Sequence, residues 1–237
     1  MEIINVHDYD EMSRKCAQFI AGKITSSERI VLGLPTGGTP LKMYHYLAQI
    51  INENNIDMSH VYTVNLDEYV GLDGSHEASY RHYMQTAFFD KVNIPDENTF
   101  IPNGKASDLE KEAADYDRLI EELGGIDLMI MGIGRNGHIA FNEPGTPFDQ
   151  GTHVIQLTQN TIEANARFFE SDDEVPGYAL TMGLQTMMNA KSIVLLASGE
   201  KKKDALFRMI EGEVTEDLPA SILQKHSDVT VITDTEI

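Results

Sequence analysis

The sequence predicts an α/β fold: an open, mostly parallel twisted sheet with helices on both faces, Rossmann-like in plan. Three observations predict it. Short β-rich apolar runs recur along the 237 residues with longer segments of helical period between them, an alternation that suits a parallel sheet covered on both sides. The composition, 41% hydrophobic with 18 Gly and 8 Pro, is that of an ordinary folded domain. No internal repeat, low-complexity block or Pro/Ser-rich linker divides the chain, so residues 1–237 are expected to form one domain.

The elements follow in order. Residues 3–6 are a first apolar run, and 10–24 have the period of an amphipathic helix, on which the lone Cys16 is a small apolar filler. Residues 30–34 form a strand that runs through Pro35-Thr36-Gly37-Gly38-Thr39-Pro40 into a helix over 40–54. A strand at 61–65 is followed by helices over 80–89 and 107–123, and 127–133 is the most apolar strand of all. A strand at 192–197, a helix over 201–210 and a strand at 229–232 complete the alternation. Residues 143–177 have no clear sheet or helix period, and they carry Gly145, Pro147, Gly151, Pro176 and an acidic cluster at 170–174. A lid or binding loop within 145–177 is the expectation.

Charge and cysteine usage narrow the function. With 18 Lys plus Arg against 38 Asp plus Glu, the net charge is −20, which excludes a nucleic-acid binder that works through bulk positive charge. An anionic ligand would need a locally basic pocket inside this negative exterior. One cysteine leaves no intramolecular disulfide and no cysteine cluster for zinc, which fits a reducing compartment. The first eight residues have no basic segment or long apolar core, and no stretch approaches the roughly 18 apolar residues of a spanning helix. A cytoplasmic protein with no membrane partner is expected.

In open α/β sheets ligands bind beyond the carboxyl ends of the strands, so three loops hold the candidates. The first is 35–40. Gly37 and Gly38 let backbone N–H groups approach an anion, Thr36 and Thr39 add hydroxyl donors, and Pro40 suits a first helical turn. The pattern resembles a phosphate site without being a nucleotide motif, and it equally suits a tight turn with Thr39 as N-cap. In the second loop, Asp67 and Glu68 follow a strand end, where partial desolvation can raise a carboxylate enough to accept a proton near neutral pH. An isolated Asp-Glu pair is more simply a solvated turn. The third loop, 132–144, sets Asn136, His138 and Glu143 among three glycines. A carboxylate beside an imidazole fixes its tautomer and raises its basicity. No second His stands at ligand spacing, so no metal is expected. A structural His in a Gly-rich turn is the weaker alternative beside the other two loops.

Together the loops resemble the glucosamine-6-phosphate deaminases, also called glucosamine-6-phosphate isomerases. The resemblance rests on Gly-Gly-Thr-Pro (37–40), Leu-Asp-Glu-Tyr-Val-Gly-Leu (66–72) and Gly-His-Ile-Ala-Phe-Asn-Glu-Pro (137–144), and continues through 164–169, 175–181 and 219–224. It implies conversion of glucosamine 6-phosphate and water to fructose 6-phosphate and ammonia, without cofactor or metal, and a hydrolase of amino-sugar metabolism. Asp67 is implied as the proton acceptor at C2, His138 as the group that opens the pyranose ring, and Glu143 and Asn136 as the residues that position its imidazole. The phosphate is implied to rest on Thr36, Gly37, Gly38 and Thr39, with charge from Arg167 and Lys202, where the Lys201-Lys202-Lys203 run leaves the register open.

Two departures bear on regulation and tuning. Some members of the family have Asp where this chain has Asn136, so Asn136 is expected to orient by hydrogen bonding only. Larger members carry basic effector-binding residues where this chain has His153 and Ile155, and a monomer without allosteric control is preferred. The nearest rival is 6-phosphogluconolactonase, whose Gly-His loop leads into a different sequence from Phe141-Asn142-Glu143-Pro144. A sugar-phosphate sensor with a DNA-binding segment is disfavoured by the acidic chain.

Overall fold

The computed structural model describes residues 1–159, 161, 162, 169 and 175–236. Its strands are β1 (Glu2–Asn5), β2 (Ile30–Leu34), β3 (Val61–Asn65), β4 (Asp67–Tyr69), β5 (Thr99–Phe100), β6 (Leu128–Gly132), β7 (His153–Gln156), β8 (Tyr178–Thr181), β9 (Ile193–Ala197) and β10 (Val229–Thr233). Its α-helices are α1 (Tyr9–Thr25), α2 (Leu41–Glu53), α3 (Tyr80–Ala87), α4 (Leu109–Glu122), α5 (Leu184–Met188) and α6 (Lys203–Glu211). Seven strands form one wholly parallel sheet in the order β1-β10-β9-β6-β2-β3-β5. The predicted α/β architecture is borne out.

The central strands read as continuous apolar runs because both of their faces are covered. Alternate residues of β6 point to opposite sides: Leu128 and Ile130 pack with α1 and α2, whereas Met129 and Met131 pack with α4, α5 and α6. The first core contains Met12, Cys16, Ile20, Leu47 and Phe88, and the second contains Tyr116, Leu184 and Leu206. Cys16 is the buried apolar filler expected of it, its thiol pushed well up by burial. Among the described residues no helix is long and apolar enough to cross a membrane.

Two features depart from the sequence reading. The edge strand β5 has only two residues, too few to leave a pattern. A second, antiparallel sheet, β4-β8-β7, stands outside the main one, and β7 lies within the segment expected to be irregular. Its His-Val-Ile-Gln lacks the alternation of a half-buried strand, and the strand exists through its pairing with β8.

Chain direction locates the crevice. From β2 the chain passes through α2, on one face, to β3, while from β6 it leads to α5 on the other face. The loops after these two neighbouring strands therefore diverge, and the gap opens at their carboxyl ends.

Candidate active site

A cavity of about 760 Å³ occupies that gap. Residues 36–39 line one side, and Gly37 takes a φ of +87°, a left-handed conformation that favours glycine. Helix α2 begins at Leu41 with Pro40 at the N-cap position and no side-chain cap, so Thr39 does not serve the capping role open to it in the sequence. Among the described residues, the amides of Thr36, Gly37, Gly38 and Thr39 find no acceptor. Free N–H groups ahead of a helix suit an oxyanion.

Positive charge enters from two other loops. Lys202, in a 3-10 turn after β9, reaches the cavity wall and donates from Nζ to the carbonyl of Ile133 at 2.6 Å. Burial, and then the neighbouring Arg135, lower its pKa. Lys201 and Lys203 are exposed to solvent, so the structure places Lys202 of the three in the cavity. Arg135 also lines it. Arg167, and with it part of the segment expected to hold a lid, lies outside the described residues.

Asp67 and Glu68 are neighbours with opposite environments, because consecutive residues of β4 face opposite ways. Glu68 is buried against the start of α3 and accepts backbone N–H groups from Tyr69, Tyr80 and Arg81 at 2.8, 2.9 and 2.9 Å. It anchors a helix. Asp67 turns into the cavity, is 7% exposed, and takes no hydrogen bond among the described residues. Burial first, and the Glu68 charge second, push its pKa up to about 8. Tyr80 and Phe141, stacked at 6.2 Å between ring centroids, supply apolar wall to the same cavity.

His138 and Glu143 meet because the chain folds back between them. Asn142 N–H closes a turn on the carbonyl of Ile139 at 3.1 Å, with Ala140 at a φ of +50°. His138 Nδ1 then stands 3.6 Å from Glu143 Oε1, an electrostatic contact rather than a hydrogen bond. The imidazole lies over Gly134, where a Cβ would fall 2.3 Å from its Cε1. No other residue leaves room for that ring. Glu143 is held by Asn136 Nδ2 on Oε2 and by Thr161 Oγ1 on Oε1, each at 2.7 Å. Burial raises its pKa, but His138 and these donors overcome that and bring it down to about 2. Asn136 reaches the imidazole through Glu143, its own Oδ1 being taken by the His138 backbone N–H at 3.2 Å.

The small sheet joins these two loops. Asp67 pairs with Thr181 in β8, whose Oγ1 accepts the Phe141 N–H at 3.2 Å. Arg135, Tyr80, Thr158 and Thr161 are cavity residues that the sequence reading left without a role. Arg135 stood within the third loop and its charge was visible there; Thr161 reaches Glu143 across 18 residues and left no local signal.

Residues 7–232 match the family described as glucosamine-6-phosphate isomerases/6-phosphogluconolactonase. The chain belongs to this family. A protein named glucosamine-6-phosphate deaminase from Halalkalibacterium halodurans is 52% identical over 236 residues, spanning 100% of this chain and 96% of the relative. A solved structure of a monomeric glucosamine-6-phosphate deaminase superposes with a TM-score of 0.96 at 46% identity, covering 98% of this chain and 97% of that one. The resemblance to the deaminase branch of the family is thus borne out. A 6-phosphogluconolactonase from Trypanosoma cruzi, at 22% identity and a TM-score of 0.77, covers 98% of this chain and 93% of its own and shares the fold. One expectation is corrected. The chain was expected to be a hydrolase, but relatives near half identity are named deaminases, and the structures named for lactone hydrolysis are distant.

Proposed function

We propose that this protein carries out the isomerising deamination of glucosamine 6-phosphate to fructose 6-phosphate and ammonia. The observation that carries the reading is one cavity in which a buried carboxylate, Asp67, with no hydrogen-bond donor among the described residues, faces an imidazole–carboxylate pair and an anion cradle. The substrate phosphate rests on the amides of residues 36–39, with Lys202 and Arg135 supplying charge-assisted contacts worth roughly 1.5–3 kcal/mol each. His138, kept in orientation by Glu143, moves the ring proton that opens the pyranose to its C1 aldehyde.

Opening acidifies the C2 hydrogen. Asp67 accepts that proton, the C2–H electrons form the C1–C2 double bond, and the C2 ammonium gives up a proton that the C1 carbonyl oxygen takes, giving a neutral enolamine. Returning the proton from Asp67 to C1 leaves a C2 iminium; water adds at C2, its proton passes to the nitrogen, and ammonia departs, leaving the ketone. A positioned base of this kind supplies about 10²–10⁴-fold in rate. No cofactor or metal enters these steps. The chain acts as a monomer in the cytoplasm, a reading supported by its likeness to a structure described as monomeric and by its one, buried cysteine.

The test is release of ammonia and fructose 6-phosphate from glucosamine 6-phosphate by purified protein with a chelator present, beside a 6-phosphogluconolactone assay. Equal amounts of both products are expected. Lactone hydrolysis alone, or silence in both assays, would overturn the proposal.

A further inference from the structure

Three tyrosines from three helices converge on the back of the 35–40 loop. Tyr44 of α2 donates its hydroxyl to the carbonyl of Pro35 at 2.6 Å, Tyr83 of α3 to that of Gly37 at 2.7 Å, and Tyr9 of α1 to that of Gly38 at 2.9 Å. A peptide group is planar and trans, so the carbonyl of one residue and the N–H of the next point in opposite directions. Tying down the carbonyls of Pro35, Gly37 and Gly38 therefore aims the amides of Thr36, Gly38 and Thr39 the other way. These are residues that line the cavity, and their amides have no acceptor among the described residues.

We propose that Tyr9, Tyr44 and Tyr83 are positioning residues that hold the loop's amides in an anion-binding orientation before substrate arrives. The inference rests on the reading of residues 36–39 as the phosphate cradle. Gly37, in its left-handed conformation, would otherwise leave the loop free to flip peptide planes, and a flipped plane would present a carbonyl oxygen to the phosphate. The brace is itself supported. Tyr44 is fully buried, stacked on Phe88 at 5.3 Å and edge-on to Tyr83 at 6.4 Å between centroids, and the Tyr9 hydroxyl also accepts the Lys42 N–H at 3.3 Å. Tyr9 and Tyr83 are half-buried, so removal of their hydroxyls leaves the ring packing in place.

The experiment titrates inorganic phosphate into the wild type, Tyr9→Phe, Tyr83→Phe and the double variant, following the amide proton resonances of Thr36, Gly38 and Thr39, with steady-state kinetics alongside. In the wild type the three resonances are expected to move saturably. In each single variant phosphate should bind about three- to tenfold more weakly and KM rise by a similar factor, while kcat changes by less than about twofold, as for an interaction shared by ground and transition states. Unchanged phosphate affinity and KM in both single variants, with the wild-type amides still responding, would overturn the brace and leave the cradle standing. Wild-type amides that do not respond would remove the cradle, and the brace with it. A fall in melting temperature with no change in phosphate affinity would show a role in packing alone and likewise overturn the proposal.

Discussion

Asp67, at the start of β4, and Glu143, in the loop after β6, are both carboxylates at the mouth of the main sheet, yet their surroundings drive them in opposite directions. Asp67 is buried beside another carboxylate, faces a cavity walled in part by Tyr80 and Phe141, and is pushed up to about 8. Glu143 stands 13% exposed in its side chain, takes hydrogen bonds from Asn136 and Thr161, faces His138, and is brought down to about 2. The difference teaches how one active site obtains two functions from one functional group. A carboxylate that holds its proton to near neutrality can exchange it with carbon, whereas one that never takes a proton serves as a fixed negative charge for an imidazole.

The comparison can be broken most severely at Asp67. Asp67→Asn should lower kcat by at least about a thousandfold while substrate binding, measured by calorimetry, is retained; turnover near the wild-type level would remove Asp67 from the reaction. Glu143→Gln comes next. It keeps the hydrogen-bonding shape but not the charge, and should cost about 10- to 100-fold in kcat. Turnover near the wild-type level would separate Glu143 from the work of His138.

Stability should report the same contrast with opposite signs. The folded-state pKa of Asp67 is raised, so its contribution is fully present below its unfolded value near 4 and is lost as pH rises towards about 8. Glu143 is depressed, so its contribution is present above its unfolded value and is lost as pH falls towards about 2. Asp67→Asn should therefore melt higher than the wild type at pH 8, with the gap closing towards pH 4. A gap independent of pH would contradict the assignment. The smallest effect is expected at Thr161→Val, which takes one donor from Glu143. The variant should lose roughly two- to tenfold in kcat, and Thr161→Ser should restore it. Failure of Ser to rescue would assign the loss to packing.

How much of this was legible depended on the length scale of each signal. Strands β2, β6 and β9 announce themselves because burial on both faces makes them continuous apolar runs, and β3 and β10 because Val, Ile, Thr and Tyr crowd into five residues. The three loops did so because Gly, Thr, Asp, His and Glu crowd into short stretches at strand ends. What escaped was set by pairing at a distance. Strands β4, β7 and β8, three or four residues each, have no period to read, and yet β4 decides that Asp67 faces the cavity and Glu68 the helix. The choice among Lys201, Lys202 and Lys203 likewise depended on where a 3-10 turn ends and α6 begins. Thr161 became a partner of Glu143 only through the tertiary fold.

The most direct measurement is a titration of the side-chain carboxyl carbons of Asp67 and Glu143 by carbon-13 resonance in the free protein, with Asp67→Asn and Glu143→Gln fixing the assignments. The account predicts that Asp67 changes protonation near pH 8 while Glu143 stays ionised down to about pH 2. Titration of both together near pH 4, the range of ordinary exposed carboxylates, would contradict the division of roles on which the proposed chemistry stands.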